Sequence, residues 1–370
     1  MDVYDELGVR AFINASGAAY TRYGGSIMRE EAVAAMAAAS RRFVNMYELQ
    51  ERMGEAIARM TRNEGAFVSC GAASGMVLSV AACIAGTDAA LAERLPGTEG
   101  MRNEVVMPGC ARGTEADPAI RAAGGRIVEA GPADRMPAAA VLLGAVTEKT
   151  GAIVLLASGR EDEREYGAIV AGARERGVAV LIDGACAVPP QENLWRYTRE
   201  MGADAFITSG GKGIRGPQAS GLVVGSRRII EGCRFHASPN LRIGRGMKVG
   251  KEEFAGLYAA LKVVMEEDRG AVEAGWRAAA ERIAESLRGI GGIRVRVKRD
   301  EVRVDFEGAG AGVAEEVAKR LFAGEPAILV MGRGGRVTVR TWLLEAGEEG
   351  IVGERVGAEL RRAVAEGAGG

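Results

Sequence analysis

Seven short runs rich in apolar residues, separated by stretches of helical or turn-forming sequence, constrain this chain more than any other feature. They lie at 66–69, 105–107, 126–128, 151–156, 178–182, 205–208 and 221–224, and most are apolar on every residue. Strands apolar on both sides must be covered on both faces, and strands that alternate with helices pair in parallel. The predicted class is therefore α/β, a mainly parallel sheet of the seven-stranded type flanked by helices. Helical spacing falls at 71–85, 118–123, 137–146, 163–176 and 192–201 between the strands, and at 29–39 and 47–61 ahead of them. Ligands of such sheets sit at the carboxyl ends of the strands.

Past Lys251 the texture changes. A long amphipathic stretch at 252–288, broken near Gly270, precedes runs at 294–297 and 302–305 that alternate with period two, as one-sided antiparallel strands do. A helix at 313–322, strands at 327–330 and 336–340 and a last helix at 348–364 complete a smaller α+β domain. Gly332-Arg333-Gly334-Gly335-Arg336 reads as a hairpin turn inside it. The expected division is an N-terminal segment 1–45 packed on the small domain or a partner subunit, a large ligand-binding domain 46–250 and a small domain 251–370.

Several function classes drop out. A net charge of −1 over 370 residues gives nucleic acid no electrostatic footing. The five cysteines (Cys70, Cys83, Cys110, Cys186, Cys233) are scattered without a C-x-x-C pair, so neither a disulfide scaffold nor a zinc site is expected, and a cytoplasmic location is. The acidic start Met1-Asp2-Val3-Tyr4-Asp5-Glu6 does not read as a signal peptide, and no run of about 18 uncharged apolar residues suggests a membrane span. His236 is the only histidine, which rules out multi-histidine metal sites and leaves proton transfer to Lys, Tyr, carboxylates or a cofactor. No metal is expected, and His236 reads as a bystander.

One stretch carries chemistry: Ser209-Gly210-Gly211-Lys212-Gly213-Ile214-Arg215-Gly216-Pro217-Gln218. Gly211, Gly213 and Gly216 satisfy G-x-G-x-x-G, but that fingerprint must open a helix, whereas Pro217 and the β-branched run after Gly221 indicate a turn into another strand. A phosphate-binding Walker loop needs Ser or Thr after the lysine, and Gly213 stands there. A lysine held at a strand exit among glycines can instead lose its proton and attack a carbonyl carbon. Lys212 is thus the candidate for a Schiff base with pyridoxal 5′-phosphate (PLP).

Two further strand ends agree. Gly71, Ala72, Ala73 and Ser74 open a helix directly after a strand, where free amides and small side chains suit a cofactor phosphate. Asp183 ends the most apolar strand, and a carboxylate there can keep a pyridine nitrogen protonated. Ser209 can add a hydroxyl to the phosphate.

In that order these elements resemble fold type I PLP-dependent enzymes. Ser209-Gly210-Gly211-Lys212 with Gly216-Pro217-Gln218 is similar to the selenocysteine synthase-like branch, and nearer still to the D-glucosaminate-6-phosphate ammonia-lyase-like group. Leu7-Gly8-Val9-Arg10, Ile13-Asn14-Ala15-Ser16-Gly17, Glu48-Leu49-Gln50-Glu51-Arg52, the segment from Gly244 to Glu253, and Arg340-Thr341-Trp342-Leu343-Leu344 carry the resemblance through nearly the whole chain. It implies the fold type I transferase architecture, Lys212 as Schiff-base lysine and proton carrier, and Asp183 as pyridinium partner. Gly71 to Ser74 and Ser209 fall around the phosphate. It further implies Arg340 as a carboxylate clamp, with Asn14, Arg245 and Lys248 as lesser contacts to substrate or to a neighbouring subunit's phosphate. Where the family covers the PLP ring, this chain reads Pro108-Gly109-Cys110-Ala111-Arg112-Gly113-Thr114, without histidine or aromatic residue, so stacking falls to Arg112 or is absent. The stretch Ser158-Gly159-Arg160-Glu161-Asp162-Glu163 is unusually charged. The implied activity is a homo-oligomeric PLP-dependent lyase that deaminates a small amino acid or amino sugar acid to ammonia and a keto acid. A PLP-dependent aminotransferase, a racemase or an inactive PLP-binding protein of the same fold is the alternative.

Overall fold

The computed structural model describes residues 2–157, 162–307 and 312–367. Ser158 to Glu161 of the charged stretch noted above lie outside the described residues. At the centre is a sheet of β1 (Gly65–Ser69), β2 (Glu104–Pro108), β3 (Arg126–Ala130), β4 (Thr150–Leu156), β5 (Ala179–Asp183), β6 (Ala205–Ser209) and β7 (Gly221–Gly225). Its spatial order is β1-β7-β6-β5-β4-β2-β3. Only β7 runs against the others, paired antiparallel to both β1 and β6. Because β7 turns back directly after the lysine stretch, no helix follows the glycines, and the dinucleotide reading fails in the structure as it does in the sequence.

The continuous apolar runs become two cores, one on each face. Val106, Ile153, Leu155, Val180, Ile182, Phe206 and Val224 point to one side, and Val105, Met107, Val154, Leu181, Ile207 and Val223 to the other. This is the period-two alternation of a strand buried on both faces, and each such side chain stabilises by about 1.5–3 kcal/mol. Helix Gly71–Ala85 lies on the second face and packs on helix Arg227–His236, where a Cβ on Gly232 would overlap Ala82. Small residues are what that close crossing requires.

The chain divides into two compact units, Tyr20–Glu266 and Met1–Ala19 with Glu267–Gly370. The expected cuts after 45 and 250 therefore move. Helix Lys251–Glu266 packs on helix Glu30–Ala39, and its Phe254, Leu257, Ala260, Leu261 and Val264 are buried in the larger unit's core. The amphipathic stretch breaks at Glu267–Asp268, where the Asp268 carboxylate caps the next helix, Arg269–Ser286, by accepting from the amides of Gly270 and Ala271 at 2.9 and 3.2 Å.

In the smaller unit, strands Ile293–Lys298, Glu301–Phe306, Met331–Arg333 and Arg336–Arg340 form an antiparallel sheet with a core of its own. Gly334 and Gly335 (φ +58° and +73°) make the hairpin turn, a conformation few residues besides glycine adopt. The strand expected at 327–330 shrinks to Ile328–Leu329, paired in parallel with Ile13–Asn14 of the same unit. The helix expected at 192–201 is a turn, Asn193–Trp195, followed by a wider π turn, Arg196–Glu200, closed by Met201 N–H on the Arg196 carbonyl. Among the described residues no helix is long and apolar enough to cross a membrane.

Candidate active site at the carboxyl ends of the strands

In the row of residues that closes the sheet, Ser69 pairs with Gly221, and Gly221 pairs with Ser209. The turn after Ser69 leads into helix Gly71–Ala85, whose first amides have no side-chain cap. Gly71 itself adopts φ +80° and faces open space. The hydroxyls of Ser69 and Ser74 both donate to the Gly71 carbonyl, at 2.9 and 3.1 Å, and so fix the turn. A Cβ on Gly221 would overlap the Gly71 backbone, so only glycine lets β7 lie against this turn. The result is an uncapped helix N-terminus with a hydroxyl, Ser209, one strand beyond Gly221. Such a terminus favours a bound anion.

Asp183 lies at the end of β5, paired with Ile207 of β6, two residues before Ser209. The Ala185 N–H donates to its carboxylate at 3.1 Å. Burial pushes the Asp183 carboxyl above the usual carboxylate range, Glu115 adds to the shift, and the Ala185 amide and the Lys212 charge counter it only in part. The structure thus brings Lys212 and Asp183 together in one electrostatic field. The Lys212 ammonium donates to the Cys186 thiol at 3.2 Å, across the turn that begins at Asp183.

The lysine loop is braced from both sides. Ser26 Oγ donates to the carbonyls of Gly211 (3.1 Å) and Lys212 (2.7 Å), and Ser26 N–H donates to that of Gly211 (3.0 Å). Arg29 Nε donates to Ile214, Arg215 Nε to Ile27, and Gln218 Nε2 to Thr21. On the other flank a Cβ on Gly213 would overlap Val188 and Pro189. Sequence reasoning missed Ser26 and Cys186. Nothing local marks Ser26, which acts on a loop 186 positions away, whereas Cys186 stands three residues after Asp183 and was within reach.

Arg112 is already engaged. Its guanidinium bonds Asp117 (Nη2 to Oδ2, 3.0 Å) and Glu129 (Nη1 to Oε2, 2.8 Å), so its planar edges are filled by two carboxylates. The Asp117 hydrogen bond holds Arg112 above its ordinary value. In return burial pushes Asp117 up, but Arg112, the Gly113 amide and Arg121 outweigh it and hold Asp117 low. Arg245 and Lys248 are exposed, and no ion pair holds either among the described residues.

In the smaller unit, Arg340 N–H donates to the Ala15 carbonyl at 2.7 Å, and its side chain passes over Gly17, where a Cβ would overlap it. The guanidinium pairs with Asp300 (3.3 Å) and Glu301 (2.5 Å). The Asn14 amide is spent on its own turn. It donates to the Ala18 carbonyl (3.1 Å), and its oxygen accepts from the Ser16 hydroxyl (2.7 Å).

No family model matches the chain. Two characterised proteins do. The chain is 33% identical over 345 residues to a 5′-C-glycyluridine monooxygenase-decarboxylase of a Streptomyces species, covering 88% of this chain and 83% of that one. It is 32% identical over 344 residues to the D-glucosaminate-6-phosphate ammonia lyase of Salmonella typhimurium, covering 88% of each. A solved D-glucosaminate-6-phosphate ammonia-lyase superposes with a TM-score of 0.84 at 28% identity, over 98% of this chain and 99% of that one. The chain belongs to the D-glucosaminate-6-phosphate ammonia-lyase family of fold type I PLP enzymes. More distant solved structures with PLP bound, 14 to 17% identical, share the fold.

For a member of this family the cofactor is PLP, and the residues present fit it. The uncapped amides after Ser69 await an anion, the half-buried Asp183 carboxyl lacks a full cationic partner, and the Lys212 amine, later in the chain than both, acts on Asp183 by its charge. Those are the complements of a phosphate, a pyridinium nitrogen and an aldehyde carbon.

Proposed function

We propose that this chain is a PLP-dependent lyase that deaminates a small amino acid or amino sugar acid, releasing ammonia and a keto acid. The observation that carries this reading is the convergence of the Lys212 amine, the desolvated Asp183 carboxyl and the uncapped N-terminus at Gly71 on one end of the sheet. Lys212 is the covalent anchor, and when freed by substrate it takes the proton from the α-carbon and returns one at the end. PLP, when bound, supplies the electron-withdrawing ring that makes this proton acidic. Asp183 stays ionised by holding the proton of the ring nitrogen. Gly71 to Ser74 and Ser209 bind the phosphate. Arg340 recognises a substrate carboxylate by a bidentate fork, which requires it to exchange Asp300 or Glu301 for substrate. Arg112 serves the site by fixing the segment after β2. Arg245 and Lys248 are accessible cations for a substrate or partner-subunit phosphate, and Asn14 shapes the turn beneath Arg340.

A homo-oligomer is supported by the exposed apolar side chains of the larger unit, Tyr20, Ile27, Phe43, Val44, Tyr47 and Leu241, and light scattering after gel filtration tests it. A cytoplasmic site of action rests on the unpaired cysteines.

The deciding assay measures ammonia and keto acid from a panel of amino acids and amino sugar acids, phosphorylated ones included. Turnover that disappears in Lys212→Ala, together with a visible PLP absorbance band trapped by borohydride, supports the proposal. A band without turnover on the whole panel would leave a PLP-binding protein without this activity. The likeness to the Streptomyces protein favours one second reading, an oxygen-dependent decarboxylation. Oxygen uptake with carbon dioxide release and no ammonia would select it.

A further inference from the structure

Cys186 is the most exposed of the five cysteines, and its sulfur is where the Lys212 amine rests. Three of the other four thiols compete poorly for an oxidant, and the fourth, Cys110, is only partly exposed. Burial pushes Cys83 and Cys233 up to about 12 and raises Cys70 as well, which keeps them protonated. Both partners of the Cys186–Lys212 contact are also held in place by the backbone. Gly184 N–H donates to the Ile207 carbonyl (2.8 Å), Ala187 N–H to that of Gly184 (2.9 Å) and Asn193 Nδ2 to that of Ala187 (2.6 Å), which fixes the turn carrying Cys186. Ser26 holds the Lys212 carbonyl, and Gly213 is pressed against Val188, so the two loops meet next to the pair. From 3.2 Å the flexible lysine stem needs only a short movement to bring nitrogen to bonding distance of sulfur.

We infer that Cys186 and Lys212 form a covalent modification site, at which a peroxide links the two side chains through a sulfur–nitrogen bond when the cofactor is absent. In the first step hydrogen peroxide oxidises the Cys186 thiol to a sulfenic acid and is itself reduced to water. In the second the Lys212 amine attacks that sulfur, hydroxide leaves and takes the amine proton as water, and a sulfenamide remains. Overall one thiol and one amine lose two hydrogens to one peroxide, which becomes two waters. A thiol reductant reverses the bond by attacking sulfur and releasing the amine. The link and the cofactor draw on the same nitrogen, so each excludes the other. The inference goes beyond the proposed activity, because the link forms without PLP.

The test treats the full chain, freed of cofactor, with hydrogen peroxide and measures intact mass and the peptide map. The expected result is loss of two hydrogens, a cross-linked pair of peptides carrying Cys186 and Lys212, and restoration by dithiothreitol. PLP added before reduction should no longer be trapped by borohydride, and after dithiothreitol it should be. Cys186→Ser, whose fold is checked by circular dichroism, should keep its mass and take up PLP after peroxide. Lys212→Arg should gain oxygen at Cys186 instead. Oxygen addition at Cys186 in the unmodified chain with no cross-link overturns the inference, as does a cross-link that survives in Cys186→Ser. Neither outcome depends on whether the chain is a lyase.

Discussion

Two charged sites, one in each unit, are built on opposite terms. At Arg340 the smaller unit meets a guanidinium with the carboxylates of Asp300 and Glu301, and Glu301 is further held by Arg303. At Asp183 the larger unit half-buries a carboxyl and gives it one amide and the field of Lys212, whose amine itself leans on the Cys186 sulfur. The first cluster is complete as protein. The second is short of a cation, and a helix N-terminus at the end of the same sheet is short of an anion. A fold tolerates such deficits where a ligand supplies the missing charges. PLP carries both.

Lys212→Ala sharpens this contrast most. It should abolish borohydride-trapped PLP and lower turnover on the order of 10²–10⁴-fold or more, because on the proposed function the proton carrier is lost with the anchor. Stability should change little, since the side chain is partly exposed and hydrogen-bonds only Cys186 among the described residues. A fully active variant would remove Lys212 from the chemistry.

Asp183→Asn separates the two states of the protein. In the cofactor-free form the folded pKa of Asp183 is raised, so its contribution to stability is full below the ordinary carboxylate value and is lost as pH rises through the folded value. The amide variant should therefore melt higher than the parent at neutral pH without PLP. With PLP the order should reverse, because a charge-assisted bond worth about 1.5–3 kcal/mol is gone, about ten- to a hundredfold in PLP affinity. Asp117 makes the opposite case in the same unit. Held low by Arg112, it stabilises above the ordinary value and loses that contribution as pH falls through its folded value, so Asp117→Asn should lower the neutral melting temperature with or without PLP. Melting curves of both variants across pH check the pair.

Gly221→Ala attacks the cradle rather than the charges. The added methyl meets the Gly71 backbone, and overpacking of this kind costs about 1–3 kcal/mol. The turn after Ser69 should be displaced, so PLP affinity should fall while turnover of the loaded fraction stays close to normal. Titration of the absorbance band against single-turnover rates distinguishes the two quantities.

How much of this was legible in the sequence follows from what is local. The seven apolar runs mark the strands because both faces are buried, and Gly71 to Ser74, Asp183, Ser209 and Lys212 stand out as candidates because each is tied to a strand end. Contacts across long separations left no such mark. Ser26 on Lys212 and Asn63 on Leu194 (2.7 Å) join residues that no periodicity connects. Helix Lys251–Glu266 reads as amphipathic in either unit, and only its packing on Glu30–Ala39 assigns it to the larger one. Arg340 was legible as a residue type. Its partners were not, because Asp300 and Glu301 reach it by the register of a neighbouring strand, where Glu301 pairs directly with Arg340.

That register makes Arg340 the finest test of the comparison. Arg340→Lys keeps the charge but gives up the fork, so one of the two carboxylates loses its partner. Because Glu301 is buried at 6% exposure while Arg340 is about two-fifths exposed, the loss should stay near about 1 kcal/mol, after allowance for solvent screening. Asp300→Asn should cost less, since Asp300 is the weaker contact at 3.3 Å. The kinetics carry more information than the melting curve. If Arg340 leaves its carboxylates to hold a substrate carboxylate, Asp300→Asn should lower KM by freeing the guanidinium, and Arg340→Lys should raise KM with kcat nearly unchanged. If the cluster is complete as it stands and serves only the smaller unit, both variants should lose stability and neither should move KM. Opposite shifts in KM from two substitutions in one ion-pair cluster cannot come from destabilisation alone, so their appearance would bring Arg340 across from the satisfied site to the working one.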